Sequence, residues 1–379
     1  MLEIFVTTLM AFIIAFFAMP VVINIADKKK LFDLPDERKL HTTPIASLGG
    51  VGIFLAVVFS CLVGISFTHE GSFQYYFAAL FVMFAIGFKD DIIALSATKK
   101  FVAQILTAAI IIHLGGVQIS SFYGIGGIEE LPESLGVPIT YFTIILIINA
   151  YNLIDGIDGL AGTLGFVSAI LFGAYFYLAS MIDYAAFSFS LAGALLAFLI
   201  FNFSPAKLFM GDSGSLLIGT TLSILVLKFI NVAGNPASHF PIESAVALGI
   251  AVIVVPLVDT IRAFASRMAN GKSPFTPDRN HIHHLLFDRG MTHSWVVFSC
   301  VSATLIFVLL TFSFRHLGNF ILVVLLFSVS FFALGILFYS QSRRKKIGQK
   351  RAMDEQRQKI ATKVISIDTK KQEFSERTR

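Results

Sequence analysis

Cysteine is nearly missing from this 379-residue chain. The two that occur, Cys61 and Cys300, both lie inside apolar runs, so neither a disulfide framework nor a thiolate metal site can be built, and both are expected reduced and packed. Charge is scarce as well. Only 14% of residues are charged against 56% hydrophobic, and the mean hydropathy is +0.79, which excludes a soluble domain and implies a polytopic membrane protein. No cleavable leader is expected either. The first apolar run has no basic segment before it and ends on Asp27-Lys28-Lys29-Lys30 where small residues would be needed, so it reads as a retained first span. No internal repeat is found. Phenylalanine, in contrast, is frequent at 40 residues, as lipid-facing helices require, and implies no cofactor. The bilayer is the expected partner, and nucleic acid is not.

A span takes about 20 apolar residues, sometimes about 17. On that measure the chain is expected to be an all-α polytopic membrane protein of about eleven transmembrane helices. They fall near 2–26, 47–67, 74–89, 100–116, 138–154, 161–180, 184–203, 214–231, 243–267, 294–314 and 318–340. Lysine and arginine gather in 27–46, 89–100, 204–213, 262–293 and after 340, all on one side of an eleven-span chain. Lys228 and Arg315 fall elsewhere, near span ends where they can snorkel. The N terminus is thus expected outside and the C terminus in the cytoplasm, with a transmembrane domain 1–340 and a basic cytoplasmic tail 341–379. In that tail Arg343-Arg344-Lys345-Lys346 suits anionic headgroups, and the mixed charge beyond suits a solvated end.

The polar residues that remain cluster at span ends on the expected cytoplasmic side. Asn149, Asn152, Asp155 and Asp158 recur every third residue, so consecutive pairs are neighbours on a helix, although four in a row drift round it. Gly156 and Gly159 would let the backbone leave helical geometry and aim all four into one pocket, whose oxygen-only donors suit a hard cation such as Mg²⁺. A helix end with glycine stops is the plainer alternative. Asp90 and Asp91 close the third span, followed by Lys99 and Lys100; adjacent carboxylates at a membrane edge need a compensating cation or lysine. In Phe209-Met210-Gly211-Asp212-Ser213-Gly214-Ser215 a carboxylate stands at a helix start, where free N–H groups favour phosphate and a metal ion would reconcile it with Asp212. The ninth span is expected to break at Pro256. After it, Arg279 with His281, His283 and His284 suits phosphate or hydroxyl contacts better than zinc, for which no ligand set is complete.

Five motifs in order, Arg38-Lys39-Leu40-His41 before Gly49-Gly50, Asp90-Asp91 before Leu95-Ser96, the Asn149 to Gly159 set, Phe209 to Ser215 and Asp278 to His284, carry a resemblance. Together they resemble the polyprenyl-phosphate N-acetylhexosamine-1-phosphate transferases, and within them the bacterial undecaprenyl-phosphate N-acetylglucosamine 1-phosphate transferases. The resemblance covers about residues 1–340. It implies Mg²⁺, with Mn²⁺ as a substitute, at Asp212 and Asn152 with Asp155 close by; uracil stacked on Phe209; and Asp90, Asp91 and Lys100 near the lipid phosphate. It further implies diphosphate and sugar contacts from Arg279, His281, His283 and His284. His41, Lys99 and Asn149 join the expected substrate-binding set, and Asp155 and Asp158 join the catalytic one. The implied substrates are a UDP-N-acetylhexosamine and undecaprenyl phosphate, and the implied location is the bacterial inner membrane; a homodimer is one option for the assembly, which the sequence leaves open. The related phospho-muramoyl-pentapeptide branch usually carries three consecutive histidines and a first-loop lysine. Here His-Ile-His-His and His41 stand instead, which disfavours that substrate. Another UDP-N-acetylhexosamine is the near alternative. An ion-coupled transporter or flippase is the distant one, disfavoured because the polar motifs lie at span ends and no repeat is present.

Overall fold

In the computed structural model, residues 1–33, 45–65, 71–274, 281–340, 343 and 353 are described. His41, Arg279 and nearly all of the tail 341–379 lie outside them. The chain divides into a unit Met1–Val329, which holds every element bearing on the site, and a unit Ser330–Arg379.

The fold is helical. In order come α1 (Leu2–Lys29), α2 (Gly49–Gly64), α3 (Phe73–Ile92), α4 (Ala97–Leu114), α5 (Glu133–Ile154), α6 (Leu160–Leu178) and α7 (Ile182–Asn202). Then follow α8 (Gly211–Ala233), α9 (Ala245–Val252), α10 (Val254–Ala269), α11 (Ile282–Phe287), α12 (His293–Ser313) and α13 (Asn319–Ser340). Two antiparallel pairs interrupt this pattern: β1 (Phe32–Asp33) with β2 (Ile45–Ala46), and β3 (Ser121–Ile125) with β4 (Ile128–Glu130).

Among the described residues, eight helices are long and apolar enough to cross a membrane, or nine if α9 and α10 count as one span. The protein is therefore a polytopic helical membrane protein. The expectation of about eleven spans differs at two helices. The span near 47–67 is the 16-residue α2, short for a full crossing, and α3 ends on Lys89-Asp90-Asp91, which dilutes its apolar character.

The ninth span is broken, but not at Pro256. The 81° bend lies between α9 and α10, at Ile253, with Pro256 inside the first turn of α10. The reason is local. Proline lacks an N–H and its ring clashes with the carbonyl four residues earlier, so a helix can begin on it but cannot run through it undisturbed. That carbonyl belongs to Val252, and it accepts instead from Ser168 Oγ at 3.3 Å, while Ser168 Oγ meets Tyr151 Oη at 3.0 Å.

At the centre stands α8, with most of its length buried among its neighbours. Its N-terminal end is reached by α2 and α3 through glycine, since a side chain at Gly50 or Gly87 would overlap the α8 backbone at Ser213. One polar pair is buried along the way: Asn149 Nδ2 donates to Gln104 Oε1 at 2.9 Å and Gln104 Nε2 to Asn149 Oδ1 at 3.3 Å. Two amides exchanging both hydrogen bonds satisfy each other where water is excluded and pin α4 to α5.

Candidate active site

The described motif residues fall at the C-terminal ends of α3 and α5, at or just before the N-terminal ends of α2, α4 and α8, and at α11. In an alternating bundle those ends meet. Lys100, in the first turn of α4, is the joint. Its ammonium is 2.5 Å from Asp90 Oδ2 and also donates to Asp212 Oδ2, while Asn152 Nδ2 donates to Asp212 Oδ1 at 3.1 Å and to Ser215 Oγ at 3.0 Å. Four helices, α3, α4, α5 and α8, thus supply one constellation. Asp90 is further fixed by the Leu95 N–H, 2.5 Å from its Oδ1.

Asp91 has a different setting. Its Oδ1 accepts from the Asp212 N–H at 2.6 Å, and its Oδ2 from the Ser213 N–H at 3.1 Å and the Ser213 hydroxyl at 2.6 Å. A carboxylate on orphan N–H groups is how helix starts are stabilised, here supplied from another helix. This corrects the expectation of free N–H groups open to phosphate at the start of α8: two of them are occupied by Asp91. Gly211, with φ +72°, permits the arrangement, since a side chain there would sit 2.6 and 2.8 Å from the Asp91 oxygens.

The Asp155–Gly159 turn leaves the helix at Ile154, as its glycines require, with Gly159 in the left-handed region at φ +79°. Asp155 sits there, and its carboxyl is pushed up to about 8, first by burial and then by the charges of Asp212, Asp91 and Asp158. Asp158 goes the other way. Burial opposes its ionisation, but the His293 ring, 3.3 Å away, with the Ala206 N–H and the Ser204 hydroxyl, outweighs it and holds the carboxyl below the usual range. Asn202 closes the turn, its Oδ1 accepting from Gly159 N–H at 2.9 Å and its Nδ2 donating to the Leu208 carbonyl at 2.9 Å.

Phe209 is partly buried; its N–H donates to Ala46 O at 2.7 Å and its carbonyl accepts from Gly49 N–H at 2.9 Å, so the Gly-Gly span start clamps this motif. His283 is 2% exposed and lies directly against Gly156, where a side chain would fall 2.2 Å from its Nε2. Burial, then the neighbouring His284, pushes its pKa down to about 3, so the ring is neutral at physiological pH. The His284 ring centroid is 4.4 Å from that of His283. His281 is tied to Asp259 and Arg267, and Lys99 is exposed. Asn149 is taken up by Gln104, away from these contacts.

Sequence reasoning missed Asn202, His293, Gln104, Arg267 and the buried Asp259 as contributors. The signal available for each was a polar residue at or inside an apolar run, which says nothing of its partner.

This is a cluster of carboxylates with one amide and one lysine at the end of a membrane helix bundle. Residues 73–230 match the family model for glycosyl transferase family 4. The decaprenyl-phosphate N-acetylglucosaminephosphotransferase of Mycobacterium tuberculosis is 32% identical over 321 residues, covering 78% of each chain. The undecaprenyl-phosphate alpha-N-acetylglucosaminyl 1-phosphate transferase of Escherichia coli K12 is 30% identical over 319 residues, 82% of this chain and 84% of that one. Its counterpart in Yersinia pestis is 32% identical over 276 residues, 71% of this chain and 73% of that one. The chain belongs to glycosyl transferase family 4.

Proposed function

We propose that this protein transfers N-acetylglucosamine 1-phosphate from UDP-N-acetylglucosamine to a polyprenyl phosphate, undecaprenyl phosphate in the first instance, releasing UMP. The observation that carries it is Lys100 joined to both Asp90 and Asp212, with Asn152 on the other oxygen of Asp212. With a divalent cation on its carboxylates, such a set would neutralise and orient two phosphate-bearing substrates at a membrane edge. In the reaction an oxygen of the lipid phosphate attacks the β-phosphorus of the nucleotide sugar, the bond from that phosphorus to the bridging oxygen breaks, and UMP leaves with the electron pair. A phosphate monoester is already nucleophilic, so the protein's work is positioning and charge compensation. Lys100 and Asp90 serve the lipid phosphate, His283 and His284 the diphosphate-sugar, and Phe209 the uracil. The site faces the cytoplasm in an inner-membrane protein, with the N terminus outside.

A divalent cation fits the donor set. Asp155 makes no hydrogen bond or ion pair among the described residues and is held protonated by burial and then by three other carboxylates, a balance that a cation reverses. Mg²⁺ keeps several waters and binds through one or two carboxylates plus substrate phosphates, so Asp212, Asp155 and the Asn152 amide suffice. When bound it supplies charge neutralisation at the diphosphate.

Titration gives this reading a test of its own. In the metal-free fold Asp155 keeps its proton up to about pH 8, whereas unfolded it ionises near 4, so stability falls as pH rises between those values. Added Mg²⁺ should therefore raise the melting temperature more at pH 8 than at pH 6, and Asp155→Asn should abolish the difference; equal gains would argue against Asp155 as a ligand. The activity itself is tested by UMP release from purified protein given undecaprenyl phosphate and a panel of UDP-sugars. Release that requires the lipid and is fastest with UDP-N-acetylglucosamine is expected. Release without lipid, or none from folded protein, removes the proposal.

A further inference from the structure

The histidine segment contains three rings, and one of them has no nitrogen to give. His281 Nδ1 is 2.7 Å from Asp259 Oδ2, and His281 Nε2 is 3.1 Å from an Arg267 terminal nitrogen. A guanidinium has only donors, so Nε2 must be the acceptor, and a carboxylate has only acceptors, so Nδ1 must carry the proton. The tautomer is thereby fixed on both sides. Asp259 and Arg267 are themselves 1% and 3% exposed, and His281 is 5% exposed. Arg267 also donates to the Pro274 carbonyl at 2.6 Å, and the second Asp259 oxygen accepts from the Ile282 N–H at 2.9 Å and faces Arg262 at 3.2 Å.

The same carboxylate therefore holds the His281 ring and the first N–H of α11. Two residues further on, His283 lies against Gly156, one position from Asp155, and the His281 and His283 rings are parallel with centroids 5.7 Å apart. Whatever fixes His281 fixes the start of α11 and hence His283. We propose that His281 is a positioning residue: locked between Asp259 and Arg267, it sets α11 so that His283 stands beside the Asp155 turn, and makes no contact with substrate itself. This rests on the transferase reading for its effect on rate, and on geometry alone for the lock. It parts His281 from His283 and His284, which the sequence pattern groups together.

Two measurements test it. In wild-type protein in lipid nanodiscs, diethyl pyrocarbonate modification is mapped by mass spectrometry with and without UDP-N-acetylglucosamine, the exposed His239 serving as the reaction control. His281 stays unmodified in both conditions. Modification that the nucleotide sugar suppresses would make His281 a substrate contact, and unsuppressed modification would show that the lock is open; either overturns the proposal. The second is rescue. Because an asparagine amide can replace Nδ1–H toward Asp259, His281→Asn keeps kcat/KM within about 5-fold of wild type, while His281→Ala loses about 100-fold or more. A folded His281→Asn protein as inactive as His281→Ala also overturns it, and if His281→Asn does not fold the modification pattern decides. Wild-type protein that releases no UMP defeats the transferase reading instead and leaves the modification result standing.

Discussion

Asp212→Asn protein is expected to release UMP at least about 1,000-fold more slowly than wild type while keeping its fold. The loss is large because Asp212 is the residue on which the cluster converges. Its two oxygens engage Lys100 and Asn152, which come from α4 and α5, and its backbone N–H engages Asp91 from α3. The substitution removes the charge but neither the backbone N–H nor the side-chain shape. Asp91 continues to cap α8 through the N–H groups of residues 212 and 213, and Lys100 retains Asp90. A melting temperature within a few degrees of wild type should accompany the loss of activity, and the two readings together separate chemistry from architecture. Asp91→Asn serves as the contrast, because it weakens the cap of α8 and should lower the melting temperature as well. If Asp212→Asn retained a tenth or more of wild-type kcat/KM, the charge at residue 212 would have no place in the reaction.

Much of this site was legible in the chain because its residues violate the surrounding composition. Asp90, Lys100, Asn152, Asp155 and Asp212 are charged or amide side chains at the ends of apolar runs, and a membrane end that spends polar residues so freely has to use them. Their convergence was not legible. Nothing in the spacing says that Lys100 spans Asp90 and Asp212, which lie 112 residues beyond it in one case and ten before it in the other. Spacing misled at Asn149, which shares the three-residue rhythm of Asn152 and Asp155. Its side chain meets Gln104 inside the bundle, a partner on another helix that periodicity within α5 cannot reveal. The same limit applies to Asp91 and to the histidines. A pair of adjacent aspartates reads as one unit, but successive residues on a helix point about 100° apart, so Asp90 turned to Lys100 and Asp91 to the start of α8. Likewise His281 and His283 look equivalent in the sequence, and only the buried Asp259 and Arg267 tell them apart. The helical class and most helix positions were readable from hydropathy. Helix lengths were not, because α2 stops at 16 residues inside a longer apolar run, and the bend at Ile253 follows from a carbonyl four residues before Pro256 rather than from the proline's own position.

The second large effect is expected at a residue with no side chain. Gly50→Ala should destabilise the protein by about 3 kcal/mol or more, beyond the usual cost of overpacking, and should abolish transferase activity in whatever folds. A Cβ at Gly50 would stand 2.1 Å from Gly214 N and 2.4 Å from both the Ser213 carbonyl carbon and the Ser213 hydroxyl. Two of those three atoms are main chain, so no rotamer change relieves the overlap, and α2 must move away from α8. That movement cannot stay local. The Gly49 and Gly50 N–H groups donate to the Phe209 and Met210 carbonyls, both at 2.9 Å, so displacing α2 pulls on the two residues that precede Gly211 and Asp212. The Ser213 hydroxyl that the new methyl would meet is also the one held by Asp91. Packing and chemistry are therefore coupled at this point: the glycine that lets two helices touch is also what sets the height of Asp212 relative to Lys100. Gly71→Ala is the matching control, since a Cβ there meets nothing within 4 Å among the described residues. Thermal melting and size-exclusion profiles of the two variants decide the matter. A Gly50→Ala protein that melts with the wild type would mean that α2 and α8 do not approach as closely as described, and that the Gly-Gly pair serves the chain in some other way.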